Sequence, residues 1–208
     1  MEIALSRFCG KADILSPLSK EEEVIRQQFS GLNAQNYRAP LWRYSLYDLL
    51  RCTYYHQLKG FWDHADAKEV KSILPAEVWN SYYKFAFDRN PWDKVLSFYH
   101  WSNAQKKFRD LEDFLLNGDV NLISSFEQLS INGIIAVDKI YKYEELGRSM
   151  DELTDLLHLP EKLRMPPCRV KGEFRQDKRH YREVLTGRQK VIIQQMFARE
   201  IAVMGYEY

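Results

Sequence analysis

The chain has 208 residues, 45% hydrophobic and 28% charged, a balance that supports a buried core and excludes a disordered polymer. Thirty basic residues against 29 acidic leave a formal charge of +1, which excludes the overall basic excess of a protein held mainly by nucleic-acid phosphates. Three widely spaced cysteines (Cys9, Cys52 and Cys168) make neither a disulfide framework nor a zinc spacing, and fit reduced thiols in the cytoplasm.

Taken along the chain, Met1 to Phe8 reads as a helix with Ile3, Ala4 and Phe8 near one face and Gly10 placed to stop it. Ser19-Lys20-Glu21-Glu22 has capping-box spacing and opens a helix through Val24 and Ile25. A polar loop covers 31–40. Residues 41–58 are aromatic-rich and predict a helix carrying Tyr44, Tyr47 and Arg51, and another is expected from Asp66 to Leu74, ended by Pro75. Residues 82–87 are nearly all apolar and read as a strand buried on both faces.

Asn90 is then the expected cap of a helix with Pro91 at its first position, and Trp92, Val95, Leu96 and Tyr99 mark its apolar face. Phe108, Leu111 and Leu115 predict a further helix closed near Gly118. Gly133 to Val137 reads as the second clear strand, with 140–143 extending it or starting a neighbour. Ser149-Met150-Asp151-Glu152 has the spacing of another capping box, 160–178 form a loop, and a last helix places Ile193, Phe197, Ile201 and Met204 on one stripe before Gly205. Buried strands alternating with amphipathic helices imply a single α/β domain over 1–208, built on a parallel sheet flanked by helices. The longest aliphatic run, Ile134 to Val137, is far short of the roughly 20 residues of a membrane span.

The informative unit is a strand, a turn and a helix over 85–99. Ligands of parallel sheets bind beyond the carboxyl ends of strands, and Arg89 sits at that edge, where helix N–H groups also favour an anion. Ser97 lies two turns along the helix, so guanidinium and hydroxyl together form a phosphate grip. Spacing alone favours a plainer reading, with Arg89 in a local ion pair and Ser97 solvated.

Arg89, Pro91, Lys94, Ser97 and Tyr99, directly after an aromatic strand, resemble the 3′-phosphate-binding segment of sulfotransferases that use 3′-phosphoadenosine 5′-phosphosulfate, most of all the carbohydrate branch with the heparan sulfate 2-O-sulfotransferases. Residues 133–138 with 143–146, Tyr181-Arg182, 197–201 and Gly205-Tyr206 are similar to later parts of that family, so the likeness runs over most of the chain. It implies a three-layer fold of the P-loop nucleotide-hydrolase type and transfer of a sulfuryl group from 3′-phosphoadenosine 5′-phosphosulfate to a hydroxyl of a glycan or similar acceptor. It also implies that Arg89 and Ser97 hold the 3′-phosphate. His64, in Phe61-Trp62-Asp63-His64, takes the place of the family's base, with His56 as its competitor; an imidazole suits proton removal near neutral pH. Lys171, between Arg169 and Gly172, resembles a loop that closes on the 3′-phosphate, although a solvated loop explains it as well. No metal is implied, and neither nucleic acid nor a membrane segment of this chain.

One part of the family pattern does not occur here. Its first strand and lysine-bearing loop, which cradle the 5′-phosphosulfate through backbone N–H groups, would precede the helix that resembles Met1 to Cys9. A chain shortened at that end, or a natural variant without the loop, is therefore expected, and a weak or inactive catalyst with it. Two other readings stay open: a non-catalytic nucleotide- or glycan-binding relative, and an interaction protein.

Overall fold

The computed structural model describes residues 1–55, 58–167 and 177–208. They fall into two units, Met1–Tyr82 with Met150–Cys168, and Tyr83–Ser149 with Arg169–Tyr208.

The first unit begins with α1 (Glu2–Ser6) and α2 (Lys20–Ser30). The capping box that starts α2 forms as its spacing predicts: the Glu22 N–H donates to Ser19 Oγ, and the Glu22 carboxylate accepts from the Ser19 N–H. Glu21, Glu22 and Glu23 favour the positive end of the helix, and Gly31, at φ 75°, stops it. Helix α1 buries Ile3 and Ala4, and a charged contact ties it to α2. Arg26 is 0% exposed; it pairs with Glu23 and with Glu2, and its Nη2 donates to the Ser16 carbonyl at 2.9 Å. Burial raises the Glu2 carboxyl pKa, against the opposing pull of Ser16 and Arg26.

The loop after α2 is ordered by backbone pairing between Leu15 and Gln35 and between residues 37–39 and 59–61. A Cβ at Gly60 would lie 2.5 Å from the Tyr37 carbonyl oxygen, so the second crossing needs glycine. The helix expected over 41–58 is shorter: a 3-10 turn at Leu41–Arg43 precedes α3 (Leu46–Tyr55). The break falls at Tyr44, which is extended, and Ser45 and Asp48 then cap α3 reciprocally. Helix α4 (Ala67–Ile73) starts at Asp66 and ends before Pro75 as expected, but Pro75 also opens α5 (Ala76–Ser81).

Asp48 supplies a pH test of this unit. Hydrogen bonds from the Ser45 hydroxyl, the Ser45 N–H and Lys59 hold its carboxyl down to about 2. A carboxylate lowered by folding stabilises above its unfolded pKa and loses that stabilisation as pH falls through the folded value. Thermal melts between about pH 4 and pH 2 should therefore fall less steeply for Asp48→Asn than for the wild type; parallel curves would refute the assignment.

In the second unit, β1 (Phe85–Asp88) is followed by α6 (Pro91–Trp101), α7 (Leu111–Asn117) and α8 (Ser125–Leu129). Then come β2 (Ser130–Ile131), β3 (Ile134–Ile135) and β4 (Lys139–Lys142). Helix α9 (Leu146–Leu156) starts in this unit and belongs to the first from Met150 on, and α10 (Tyr181–Val184), α11 (Gly187–Met196) and α12 (Ala198–Met204) follow in the second. Strands β1 and β4 pair in parallel, Phe85 opposite Lys139 through Asp88 opposite Lys142. Among the described residues the arrangement is thus mixed helix and strand with one parallel pair.

Three expectations are corrected. The strand expected over 133–137 is cut to Ile134–Ile135, and of the two options for 140–143 the second holds, a separate strand, which pairs with β1. Asn132 and Gly133 both have positive φ, the pattern of a tight hairpin turn, so Ile134 and Ile135 fold back on Ser130 and Ile131, and the following segment becomes β4. Ser149 caps nothing: α9 has already begun at Leu146, and Ser149 Oγ donates back to the Glu145 carbonyl. The last helix is two, because Phe197 leaves helical geometry at φ −109°, ψ 28°, while keeping its ring in the core.

Helix α6 forms where its cap and apolar spacing predict. Asn90 Oδ1 accepts the Trp92 N–H, Pro91 occupies the first position, and Trp92, Val95 and Leu96 are buried. With Phe114, Leu115, Val120, Ile193 and Phe197 they form the core of this unit, which fixes α6 and hence the residues at its mouth.

Candidate functional site

The carboxyl end of β1 and the first turns of α6 form the junction to which the sequence assigns anion binding. Arg89 lies between strand and cap, and its side chain is 32% exposed. Its Nε donates to Asp93 Oδ2 at 2.6 Å, its Nη2 meets the same oxygen, and its guanidinium lies 5.3 Å from the centre of the Tyr143 ring. Asp93 is four residues before the half-buried Ser97 on α6, so those two share one side of the helix, and Arg89, just ahead of the cap, reaches Asp93. The local ion pair that spacing favours for Arg89 is present. Any incoming phosphate at this guanidinium competes with the Asp93 carboxylate.

The backbone at the helix mouth is also engaged. The Asn90 N–H donates to Glu144 Oε1 at 2.7 Å, the kind of bond an anion at a helix N-terminus would accept. The other oxygen of Glu144 accepts from Tyr206 Oη at 3.3 Å, and that hydroxyl also lies 3.1 Å from the Asp88 carbonyl oxygen. Burial first, and then the charges of Glu144 and Asp88, push the Tyr206 phenol pKa up, so the hydroxyl stays a donor. Asn90 Nδ2 donates to Tyr181 Oη at 3.3 Å, which anchors the cap to α10.

Lys94 turns inward. Its Nζ lies 2.9 Å from Asp88 Oδ1, 3.0 Å from Ser125 Oγ and 3.9 Å from Glu200 Oε1. Ser125 Oγ donates to Asp88 Oδ1 at 2.6 Å, and the Phe126 N–H donates to Glu200 Oε1. Asp88 and Glu200 are buried, and Lys94 nearly so. This is an internal network tying β1, α6, α8 and α12 together. Lys94 is one of the residues that carry the resemblance, but its ammonium is occupied by Asp88 and Ser125, with Glu200 close by, and does not face a ligand. A small cavity beside the network is lined by Asp88, Ser125 and Glu200 together with apolar side chains including Leu129, Ile140 and Met204.

His64 belongs to the first unit; its φ is 61°, its side chain is 77% exposed, and Nε2 is 3.4 Å from its neighbour Asp63. Lys171 and His56 lie outside the described residues. His180 caps α10, accepting the Arg182 N–H through Nδ1.

Sequence reasoning passed over Asp93, although its i, i+4 spacing from Arg89 is a local signal of an ion pair. Glu144, Tyr206, Ser125 and Glu200 had no such signal, since each reaches the junction from a distant part of the chain. Among the described residues, no helix is long and apolar enough to cross a membrane. The chain matches no family model, no curated protein and no solved structure.

Proposed function

We propose that the β1–α6 junction binds the 3′-phosphate of an adenosine 3′,5′-bisphosphate group, as the resemblance to sulfotransferases implies. The observation that carries this reading is the partly exposed Arg89 guanidinium at the carboxyl end of a parallel strand, paired with Asp93, which shares one side of α6 with Ser97. A guanidinium offers a phosphate two parallel N–H donors, and the exposed third of Arg89 is where such a ligand would enter. In the fuller reading the donor is 3′-phosphoadenosine 5′-phosphosulfate and the acceptor a glycan hydroxyl. The acceptor oxygen bonds to sulfur, the bond from sulfur to the 5′-phosphate oxygen breaks, and adenosine 3′,5′-bisphosphate leaves while a base takes the proton. Assignment of that base to His64, of a second phosphate contact to Lys171, and of a three-layer fold to the chain rests on the resemblance alone.

Titration calorimetry with adenosine 3′,5′-bisphosphate tests the binding step. The wild type should show saturable heat, Arg89→Ala should weaken binding by about tenfold or more, as expected for loss of a charged hydrogen-bonding partner, and Ser97→Ala by less. Asp93→Asn should tighten binding, because it removes the competing carboxylate. Absence of heat, or equal affinity in Arg89→Ala, would sink the reading. A second reading is favoured by the Glu144 bond at the helix mouth: the junction is a closed structural joint, and the protein acts through another surface. It predicts no nucleotide heat in any variant.

A further inference from the structure

Strand β4 ends at Lys142 and runs straight into a 3-10 turn, Tyr143–Glu145, whose three residues are all exposed. From this turn the Glu144 carboxylate reaches the residue next to Arg89. One of its oxygens accepts the Asn90 N–H at 2.7 Å, and the other accepts from Tyr206 Oη at 3.3 Å. Asn90 and Tyr206 are buried, so an exposed carboxylate holds two donors that belong to the interior. The Arg89 guanidinium rests against the ring of Tyr143, the neighbouring residue of the same turn.

The nature of this contact follows from what each group loses when Glu144 swings out. The carboxylate returns to water, which solvates it well, so it loses little. Tyr206 Oη keeps a second acceptor, the Asp88 carbonyl oxygen at 3.1 Å. Only the Asn90 N–H is stranded, and a backbone donor of a buried residue is costly to leave without an acceptor. The contact therefore stays shut until another acceptor takes that N–H. The surrounding charges favour an anion in that role. Lys142 Nζ lies 4.9 Å from the centre of the Tyr206 ring and has no carboxylate partner among the described residues. Arg89 is partly open to solvent, and its partner Asp93 lies at the surface end of the junction.

We propose that Glu144 is an autoinhibitory latch on the β1–α6 junction: its carboxylate fills the place of a ligand phosphate, which on arrival turns it out to water, accepts the Asn90 N–H in its stead and takes Arg89 and Lys142 as its cations. The inference rests on the reading of this junction as a phosphate site and adds its regulation. Titration calorimetry of the 208-residue protein tests it, with adenosine 3′,5′-bisphosphate and with inorganic phosphate as a second probe. Glu144→Gln keeps an oxygen acceptor for the Asn90 N–H and removes the competing charge, so it should bind the nucleotide about tenfold or more tightly than the wild type. Adding Lys142→Met to that variant should take back a large part of the gain. Circular dichroism checks that each variant is folded. Should Glu144→Gln not fold, Glu144→Asp, one methylene shorter and still charged, must tighten binding by itself. A fixed structural cap predicts the opposite, a less stable protein with no gain in affinity. Equal or weaker nucleotide binding by the folded latch variants, while wild-type binding still depends on Arg89, overturns the latch and leaves the nucleotide reading intact. Inorganic phosphate bound more tightly by Glu144→Gln than by the wild type, with no nucleotide bound by either, keeps the latch and rejects the nucleotide. No heat with either probe in any variant overturns both.

Discussion

Lys94→Met should destabilise the second unit by about 3–5 kcal/mol, the cost expected when one partner of a buried ion pair is removed. The ammonium stands 2.9 Å from Asp88 and 3.9 Å from Glu200, two carboxylates with almost no access to water. Methionine fills much of the lysine stem's volume and so isolates the loss of charge from the creation of a cavity. What remains is poorly compensated. Asp88 keeps its bond from Ser125 and Glu200 its bond from the Phe126 N–H, but two negative charges then face each other in a medium that screens them weakly. Denaturant unfolding measures the loss. The double variant Lys94→Met/Asp88→Asn should recover a substantial part of it, because the neutral amide removes one stranded charge; a double variant no more stable than the single one would show that the cost lies in packing. The same experiment bears on function. If Lys94→Met is folded at low temperature and binds adenosine 3′,5′-bisphosphate like the wild type, Lys94 is an internal strut and the ligand contacts lie with Arg89.

Arg26→Met should cost the first unit about 2–3 kcal/mol, in the range of hydrogen bonds to charged groups. The side chain is wholly buried, but its carboxylate partners Glu2 and Glu23 keep 38% and 23% of their side-chain surface, so they can turn to water once the guanidinium is gone. The effect is therefore smaller than at Lys94, where neither carboxylate has that escape. The Ser16 carbonyl loses its donor as well, and with it the tie between α2 and the segment after α1. Arg26→Lys separates geometry from charge. Lysine keeps the positive charge but cannot bond Glu23, Glu2 and Ser16 together from one planar group, so it should restore only part of the stability. Full rescue by lysine would mean that charge alone matters there.

The two networks have a common consequence for the junction at β1. Around it stand Arg89, Lys94 and Lys142 on one side of the charge balance and Asp88, Asp93, Glu144 and Glu200 on the other. A phosphate arriving there meets Arg89 and Lys94 already paired with carboxylates, and binding at either requires that its partner yield. Asp93 is the one placed to do so, since its bond to Arg89 is at the surface end of the cluster, whereas Asp88 and Glu200 are held in the interior. This is the physical reason for expecting Asp93→Asn to raise affinity.

Local signals were read correctly where the chemistry is local. Ser19 with Glu22, Asp66 before α4, Asn90 with Pro91, and Gly118 and Gly205 at helix ends all depend on residues within a few positions of one another, and each forms as its spacing predicts. Errors arose where two local patterns competed. Ser149 has a capping spacing, yet a helix begun three residues earlier used it otherwise; a strand forms at Ile134-Ile135 as its composition predicts, yet the Asn132-Gly133 turn confines it to a short hairpin in place of a longer strand over 133–137.

By itself, the order of residues determined that a helix with a buried Trp92–Val95–Leu96 face starts at Asn90, with Arg89 just ahead of it and Ser97 two turns along, because a helix repeats every few residues whatever surrounds it. Only the tertiary structure decided that Lys139–Lys142 is the strand beside β1, that Lys94 is enclosed by Asp88, Ser125 and Glu200, and that Glu144 and Tyr206 close over the helix mouth. Those partners lie tens of residues from the positions they meet. Their pairing is set by how a whole unit buries its apolar surface and satisfies its buried polar groups, which no short window of sequence contains.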